Sequence, residues 1–383
     1  MNRNSFFVQR KQDKNAVVVR YLITTQLDPK TAAIKLCKEQ SLSNALGDDS
    51  RVIKRNSAKY FPASIKKRGR RQFEVKIAYL YENHENSLSI VLTAAGGDTY
   101  NIKNLYPIKI LSIELPHVLI EKYEGPRFGV EGLRKKLKVF KRPLLIGPVK
   151  PCVGMRPKEF AKRAKEALLG GADIVKDDEL IGDPVYNPLS VRVKAVSRAV
   201  REVERVTGEK KMYFSFLGNG APSRILENAK TAKKNGADGF MISPAINGWE
   251  IIRDLRKFGL PIIAHNAYVY SAHTKDHGIA FSVFSLFQRL CGADLVVTPA
   301  PYGTFEVMSR EEHLENIKIL LKDMPGIKKS FPAFCGGQSR KSVPFLRKDV
   351  GNKNFAVIAG TSLYDHPNGP TAGARELIAS LSE

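Results

Sequence analysis

The stretch GGADIVKDDEL, residues 170–180, carries the pattern that decides the fold of this 383-residue chain. Its glycines end an amphipathic helical stretch, Pro157–Leu169, that starts with proline. A short apolar run, Ala172–Val175, then predicts a buried strand, and charged residues follow it at once. A helix that leads into a continuously apolar strand is typical of a parallel sheet covered on both faces.

The same unit recurs along the chain after residue 125. Short apolar runs predict eight strands: Leu144–Val149, Ala172–Val175, Met212–Phe216, Gly239–Ile242, Pro261–Ala264, Ala293–Val297, Ser330–Phe334 and Phe355–Ala359. The predicted helices are Pro157–Leu169, Pro188–Val206, Ser223–Lys234, Trp249–Lys257, Gly278–Leu290, Arg310–Lys322 and Thr371–Leu381, with a short Lys/Arg-rich stretch at Ser339–Val350. Eight units over about 250 residues favour a (β/α)8 TIM barrel over an open doubly wound sheet. No G-x-G-x-x-G motif follows the first strand.

A different pattern precedes residue 125. Alternating segments at Val17–Leu22 and Phe73–Tyr81, with a helical stretch at Thr31–Gln40, predict a smaller α+β domain built on an antiparallel sheet. We therefore expect domains at residues 1–125 and 126–383. The basic run KKRGRR, Lys66–Arg71, has no interleaved aromatic residues, which favours a solvated loop over a nucleic-acid-binding arm.

The composition limits the classes of protein to consider. Lys+Arg 62 against Asp+Glu 38 gives a net charge of +24, which suits a phosphate-bearing partner and equally a solvated lysine-rich surface. No apolar run of about 18 residues exists, so no membrane-spanning helix is expected, and the N-terminus lacks the apolar core of a signal peptide. We therefore expect a cytoplasmic protein. The scattered cysteines (Cys37, Cys152, Cys291 and Cys335) predict reduced thiols rather than disulfides or a metal knuckle.

The loops that follow barrel strands carry the chemistry of this fold, so polar residues at strand ends are the candidates. Lys176 and Asp178 point to the same side of the second strand, and Glu179 joins them where the chain turns. Two carboxylates predict an oxygen-ligand Mg²⁺ site. A bare ammonium would repel the metal, whereas a Lys176 converted by CO₂ to a carbamate would supply an anionic oxygen. The alternative is an ion-pair cluster that caps the strand.

Other strand ends add further candidates. After the first strand, Lys150 and Cys152 can both face the site, and Lys150 could act as a general base or acid, pair with a phosphate, or simply extend into solvent. After the fifth, His265 is a candidate proton carrier or a hydrogen-bonded structural residue. Glycine-rich turns after the last two strands, Gly336–Gly337 and Gly360–Thr361, predict a phosphate site because bare amides can approach oxygens closely.

These segments together resemble the large chain of ribulose-bisphosphate carboxylase (RuBisCO), and GGADIVKDDE is the most specific match. The other matching segments are EQSLSN at Glu39–Asn44, GPRFGVEGLRKKL at Gly125–Leu137, Lys150–Pro151, the His265 segment, HGIAF at His277–Phe281, and the glycine turns. The resemblance covers most of the chain and implies an N-terminal α+β domain followed by the barrel.

The resemblance also implies roles for particular residues. Lys176 would be the carbamylated lysine that binds Mg²⁺ with Asp178 and Glu179. Lys150 would transfer a proton, and His265 would contact the substrate. One phosphate would be held by Gly336, Gly337, Gly360 and Thr361. A homodimer with its active site at the interface is implied, in which Glu39 and Asp98 come from the N-terminal domain of the partner subunit.

Several positions depart from the carboxylase pattern. Cys152 replaces a second lysine, Asn266 replaces an arginine at the substrate site, Cys335 replaces a serine, and Val297 stands near the position of a histidine. Asp98 stands where carboxylases have asparagine, and the loop TPAPYGTFEVMS, Thr298–Ser309, lacks the lysine that carboxylases use. The chain thus resembles a RuBisCO-like protein of the form IV type.

The expected function is a Mg²⁺-dependent enzyme that enolises or isomerises a monophosphorylated ketose or sugar acid, with isomerase or lyase chemistry as in methionine salvage or a sugar-acid pathway. The expected partners are this substrate and a second copy of the chain, in a dimer or higher oligomer. Neither nucleic acid nor membrane is expected as a partner. Two alternatives remain at this point. One is a divergent ribulose-bisphosphate carboxylase, and the other is a non-catalytic basic binding protein.

Overall fold

The computed structural model describes residues 7–10, 14–43, 55–304 and 308–383. Contacts within the chain divide it into two compact units. The first unit comprises Met1–Tyr123 and Ser271–Phe287, and the second comprises Glu124–Tyr270 and Gln288–Glu383. The sequence places a single boundary at residue 125, whereas Ser271–Phe287 clusters with the first unit because it carries a strand of that unit's sheet.

The strands, numbered in chain order, are β1 (Ala16–Thr24), β2 (Lys59–Tyr60), β3 (Lys66–Lys67), β4 (Gln72–Leu80), β5 (Ile108–Glu114), β6 (Leu144–Pro148), β7 (Ile174–Lys176), β8 (Met212–Phe216), β9 (Gly239–Ile242), β10 (Ile262–Ala264), β11 (Gly278–Ile279), β12 (Leu295–Pro299), β13 (Phe331–Cys335) and β14 (Ala356–Ile358). The α-helices are Pro29–Glu39, Leu88–Gly96, His117–Ile120, Gly129–Leu137, Pro157–Leu169, Leu189–Thr207, Pro222–Lys234, Pro244–Asn247, Ile251–Arg256, Phe281–Cys291, Arg310–Leu321, Val343–Val350, Thr361–Tyr364 and Gly369–Ser382. Of the helices in these described ranges, none combines the length and the apolar character needed to span a bilayer.

The first unit contains a mixed, mostly antiparallel sheet of order β11-β5-β1-β4-β2, with β3 paired to β4. From Val19 to Thr24 buried and partly exposed residues alternate along β1, which is expected of a sheet with one face on a core. At the start of the strand Ala16 and Val18 are buried as well, in a small cluster with Ala78. The predicted antiparallel sheet is confirmed in its main pairs, β1 with β4 and β5. It differs in one strand, because β11 runs parallel to β5.

The second unit is a closed parallel barrel of order β6-β7-β8-β9-β10-β12-β13-β14, which confirms the predicted (β/α)8 fold. Its interior is one buried cluster that includes Ile146, Phe214 and Phe331. The helix Gly129–Leu137 contributes Val130 and Leu133 to the same cluster. This helix, which precedes β6, therefore packs against the apolar interior. The polar candidate residues lie instead at the strand ends that carry the loops.

Candidate active site

A cavity of about 710 Å³ opens at the C-terminal ends of the barrel strands. These are the strand ends at which the catalytic loops of this fold converge. The predicted residues that line it are Lys150, Lys176, Asp178, Glu179, His265, Asn266, Gly336, Gly337, Gly360 and Thr361. They lie at or after the ends of β6, β7, β10, β13 and β14, so the barrel topology brings them together.

Lys176 is the last residue of β7, and only 2% of it is exposed. Its Nζ donates a hydrogen bond to the carbonyl oxygen of Asp177 at 3.1 Å and lies 3.8 Å from Oε2 of Glu179. The nitrogen of Lys176 thus lies beside the carboxylate of Glu179, which belongs to the predicted metal site.

Asp178 and Lys150 form an ion pair between the ends of β7 and β6. The Nζ of Lys150 donates to Oδ2 of Asp178 at 2.6 Å, and the backbone N–H of Leu180 donates to Oδ1 at 3.2 Å. Burial raises the pKa of Asp178, but the hydrogen bond from Lys150 and the charges of Lys176 and Lys150 outweigh it, so this pKa lies below its usual value. Asp178 is therefore an ionised carboxylate at neutral pH, the form that a metal ligand needs.

Lys150 has a second partner besides Asp178. Its Nζ donates to Sγ of Cys152 at 2.9 Å. Burial lowers the pKa of Lys150, but the hydrogen bonds to Asp178 and Cys152 outweigh this effect and raise it. In this arrangement Lys150 is an ammonium and a proton donor, and it can accept a proton only after it has released one of its own.

His265 lies against Glu179 as a neutral ring. Its Nδ1 accepts a hydrogen bond from the backbone N–H of Ala267 at 3.1 Å, which leaves the ring proton on Nε2, 3.3 Å from Oε2 of Glu179. Burial, and after it the positive charge of Lys176, lowers the pKa of His265 well below its ordinary value. His265 therefore contacts Glu179 as a neutral ring rather than pairing with it as a cation.

A divalent metal fits these residues on the condition that Lys176 carries a carbamate. Within the ranges that the structure describes, no group of three or more His, Cys, Asp or Glu side chains is arranged to hold a metal ion. Asp178 and Glu179 supply two carboxylates, and Lys176 beside them adds a third anionic ligand only as a carbamate. With that modification the donor set consists of the charged oxygens that Mg²⁺ prefers.

The loop after β10 gives the cavity a neutral wall. Nδ2 of Asn266 donates to the hydroxyl oxygen of Tyr270 at 2.9 Å and lies 3.5 Å from Sγ of Cys335. Burial raises the pKa of Cys335 to about 11, so its thiol stays protonated at neutral pH. Tyr268 and Tyr270 also line the cavity, and the sequence analysis missed both. The available signal was their place in HNAYVY, directly after a predicted strand end.

The glycines after β13 make room for a neighbouring loop. Gly336 and Gly337 have φ values of 89° and 76°. The backbone N–H of Thr304, in the loop after β12, donates to the carbonyl of Gly336 at 2.9 Å. A Cβ atom on Gly337 would lie 2.0 Å from Oγ1 of Thr304. The close approach of the two loops therefore requires glycine at position 337, independently of any phosphate contact.

Glu39 and Asp98, the remaining predicted residues, belong to the first unit. In the amide orientation that satisfies both of its ends, Gln40 donates to the carbonyl of Ala94 at 2.9 Å. It also accepts from the backbone N–H groups of Thr99 at 2.8 Å and Asp98 at 3.3 Å. Gln40, which the sequence analysis did not single out, thus connects the segment of Glu39 to that of Asp98.

Comparisons with known proteins identify the relatives of this chain. The family model "Ribulose bisphosphate carboxylase large chain, catalytic domain" matches residues 129–382. A ribulose bisphosphate carboxylase-like protein of Chlorobaculum tepidum is 31% identical over an alignment of 395 residues, which covers 97% of this chain and 90% of that protein. A 2,3-diketo-5-methylthiopentyl-1-phosphate enolase of Geobacillus thermodenitrificans is 31% identical over 80% of this chain and 74% of its own length. The octameric RuBisCO of Pyrococcus horikoshii OT3 superposes with a TM-score of 0.91 at 28% identity, over 100% of this chain and 92% of that one.

Proposed function

Because the chain belongs to the RuBisCO large-chain family and is similar to its RuBisCO-like members, we propose that it is a Mg²⁺-dependent enzyme acting on a monophosphorylated ketose or sugar acid. The reaction removes a proton alpha to a carbonyl and gives an enolised or isomerised product. The observation that carries the proposal is the cavity in which the ionised Asp178, its partner Lys150 and the buried Lys176 meet a neutral wall.

The metal would be held by Asp178, Glu179 and a carbamate on Lys176. A bound Mg²⁺ polarises a substrate carbonyl and stabilises the negative charge that develops on its oxygen. His265 would lie beside the bound metal, since its Nε2 is 3.3 Å from Oε2 of Glu179. Because His265 is neutral, it adds no positive charge that would oppose the cation.

The proton would be moved by Lys150 or by the carbamate on Lys176. Lys150 lines the cavity and reaches Asp178 at 2.6 Å, so its Nζ lies beside the carboxylate that the metal would engage. Lys150 could act as the base only after it released its own proton, and a cation held at Asp178 would favour that release by weakening the ion pair. A positioned general base of this kind contributes about 10²- to 10⁴-fold to the rate.

The distribution of charge in the cavity supports one phosphate on the substrate. Glycine turns that include Gly336, Gly337 and Gly360 line one part of the cavity, and backbone amides of such turns could approach a phosphate closely. The wall of Asn266, Tyr270 and protonated Cys335 carries no charge that would hold a second phosphate. The loop Thr298–Ser309 contains no lysine. These features favour enolisation of a monophosphate over carboxylation of a bisphosphate, and the similarity to a phosphate-ester enolase points the same way.

A homodimer would complete the site with Glu39 and Asp98 from the partner subunit. The similar RuBisCO of Pyrococcus horikoshii is octameric, which supports self-association of this chain. Leu180, an apolar residue that lines the cavity, is 68% exposed and would be available to a partner subunit. Mixing inactive Lys176→Ala subunits with inactive Asp98→Ala subunits should restore part of the activity if the site is shared. Absence of any restoration in a confirmed mixed dimer would contradict shared sites.

The proposal is tested by solvent-deuterium exchange. The protein is incubated with Mg²⁺ and bicarbonate in D₂O against a panel of monophosphorylated ketoses and sugar acids, and exchange is followed by NMR. Ribulose 1,5-bisphosphate serves as the carboxylase control. Exchange into a monophosphate supports the proposal. Carboxylation of the bisphosphate would identify a divergent carboxylase instead, and absence of both exchange and Mg²⁺ affinity would favour a binding protein.

A further inference from the structure

Asp177 lies between two candidate metal ligands but points away from them. Its carboxylate is fully buried behind β7, where Oδ1 accepts a hydrogen bond from the hydroxyl of Tyr213 at 2.6 Å. Oδ2 accepts from the backbone N–H of Phe216 at 3.0 Å, from Oγ of Ser215 at 3.2 Å and from Nε of Arg192 at 3.2 Å. These hydrogen bonds connect the end of β7 to β8.

The backbone of Asp177 is fixed as well. Its N–H donates to the carbonyl of Phe214 at 3.1 Å, and its own carbonyl accepts the hydrogen bond from Nζ of Lys176 at 3.1 Å. With side chain and N–H both attached to β8, the peptide that follows Asp177 has little freedom to rotate. Its carbonyl oxygen therefore stays directed at the nitrogen of Lys176. A carbamylated lysine nitrogen keeps one N–H, so it retains a donor for this carbonyl.

Arg192, which pairs with Asp177, also contacts the loop that carries Glu179. This arginine is fully buried and, besides Asp177, donates from Nη2 to the carbonyl of Gly182 at 2.9 Å and from Nη1 to that of Asn187 at 2.8 Å. Asp177 and Arg192 thus hold both the strand end and the following loop. A buried ion pair of this type is weak evidence for stability alone, because desolvation offsets much of its attraction.

We propose that Asp177 is a positioning residue of the metal site, a role that rests on the proposed function. The hydrogen bonds of its buried carboxylate and backbone fix the directions of Lys176 Nζ and of the Asp178 carboxylate on either side of it. Both groups are then directed into the cavity, where Glu179 also lies. Partners that orient metal ligands in this way are worth about 10- to 100-fold in metal affinity. Asp177 itself contacts neither metal nor substrate in this role.

The test measures Mg²⁺ affinity by calorimetry with and without bicarbonate, and the carbamate by NMR with ¹³C-bicarbonate. Asp177→Asn presents an amide to hydrogen-bond donors, and Tyr213→Phe removes one donor with little change in shape. Both should weaken bicarbonate-dependent Mg²⁺ binding, Asp177→Asn by about 10-fold or more and Tyr213→Phe by less. If Asp177→Asn does not fold, the Mg²⁺ affinity of Tyr213→Phe alone serves as the test.

The matched control lies at the other end of the same strand. Asp173, also buried, accepts from Arg142 at 2.7 Å and 2.8 Å and from the backbone N–H of Leu145 at 2.9 Å. Asp173→Asn should lower the melting temperature but leave Mg²⁺ affinity and the carbamate signal unchanged. If this control loses Mg²⁺ affinity as well, the effect is general destabilisation and the inference is wrong.

The remaining outcomes separate this inference from the proposed function. If the wild-type protein shows no bicarbonate-dependent Mg²⁺ binding, the proposed metal site fails and the role of Asp177 fails with it. If the wild-type protein binds Mg²⁺ and the folded Asp177→Asn and Tyr213→Phe variants bind it equally well, only the inference is overturned.

Discussion

Nζ of Lys150 lies 2.6 Å from Oδ2 of Asp178, so a residue predicted to move a proton and a residue predicted to bind a metal form one ion pair. The two roles are therefore coupled, because a cation at Asp178 competes with Lys150 for the same carboxylate. The pair also explains why the pKa of Asp178 stays low in spite of burial.

Replacing Lys150 by methionine should separate these roles. Lys150→Met removes the candidate proton carrier, and deuterium exchange into the substrate should fall by about 10²-fold or more. Mg²⁺ binding should be retained or become tighter, because Asp178 loses the ammonium that competes for it. Exchange is measured by NMR and Mg²⁺ affinity by calorimetry on the same preparation. Unchanged exchange would leave the carbamate on Lys176 as the base.

Lys176→Ala should abolish the bicarbonate-dependent part of Mg²⁺ binding while the fold persists, because the residue lies at the barrel mouth. Lys211→Ala is the matched control. Lys211 is equally buried, at 2% exposure, but it precedes β8 and pairs with Glu209 at 2.7 Å, away from the cavity. Circular dichroism checks the fold of both variants. Bicarbonate-dependent binding that survives in Lys176→Ala would show that no carbamate forms there.

The barrel could be predicted because each of its strands is a local, continuously apolar run. The predicted strand Leu144–Val149 differs from the observed Leu144–Pro148 by one residue at its end. The pairing of β11 with β5 could not be predicted, since a two-residue strand leaves no periodicity and its partner lies far away in sequence. The helix expected from Gly278 accordingly begins at Phe281.

Site residues at the strand ends could be predicted from the sequence, because the barrel topology alone brings these ends together. The alternation of side chains along β7 indicates that Lys176 and Asp178 share a side, and both line the cavity. The sequence does not indicate what the opposite side chain, Asp177, contacts, because Arg192 and Tyr213 reach it only through tertiary packing. The orientation of Tyr270 toward Asn266 depends on the loop conformation after β10, for which no sequence pattern exists.

Gly337→Ala should disturb the glycine turn and weaken catalysis. A methyl group at this position, with φ of 76°, would lie 2.0 Å from Oγ1 of Thr304 and must displace one of the two loops. A shift of about 1 Å in a positioning loop lowers activity by up to about 10²-fold. The substrate found by the exchange experiment provides kcat and KM for the variant.

Gly351→Ala separates this effect from backbone strain. Gly351 has a similar φ of 70°, but a Cβ atom there would meet nothing within 4 Å among the described residues. Both alanine variants should lose about 1 kcal/mol of unfolding free energy through the left-handed backbone. Only Gly337→Ala should change kcat or KM. Equal kinetics in the two variants would show that the turn at Gly337 does not contribute to the site.

The buried His313 should make stability depend on pH. It lies on the helix Arg310–Leu321, with Nε2 3.7 Å from Oδ2 of Asp349. Burial lowers the pKa of His313 from 6.5 to about 4. Between these two values the unfolded chain binds more protons at this position than the folded chain does. The free energy of unfolding therefore has its full value above pH 6.5 and falls as the pH drops toward 4.

The size of this effect follows from the two pKa values. Between pH 7 and pH 5 the contribution of His313 to the free energy of unfolding should fall by about 2 kcal/mol. Urea unfolding at both pH values gives this loss for the wild-type protein, and it should be about 2 kcal/mol smaller in His313→Leu, which cannot bind a proton. His117→Gln, at an exposed histidine, should keep the wild-type loss. If His313→Leu loses as much stability between the two pH values as the wild-type protein, then His313 is already charged, or exposed, in the folded state.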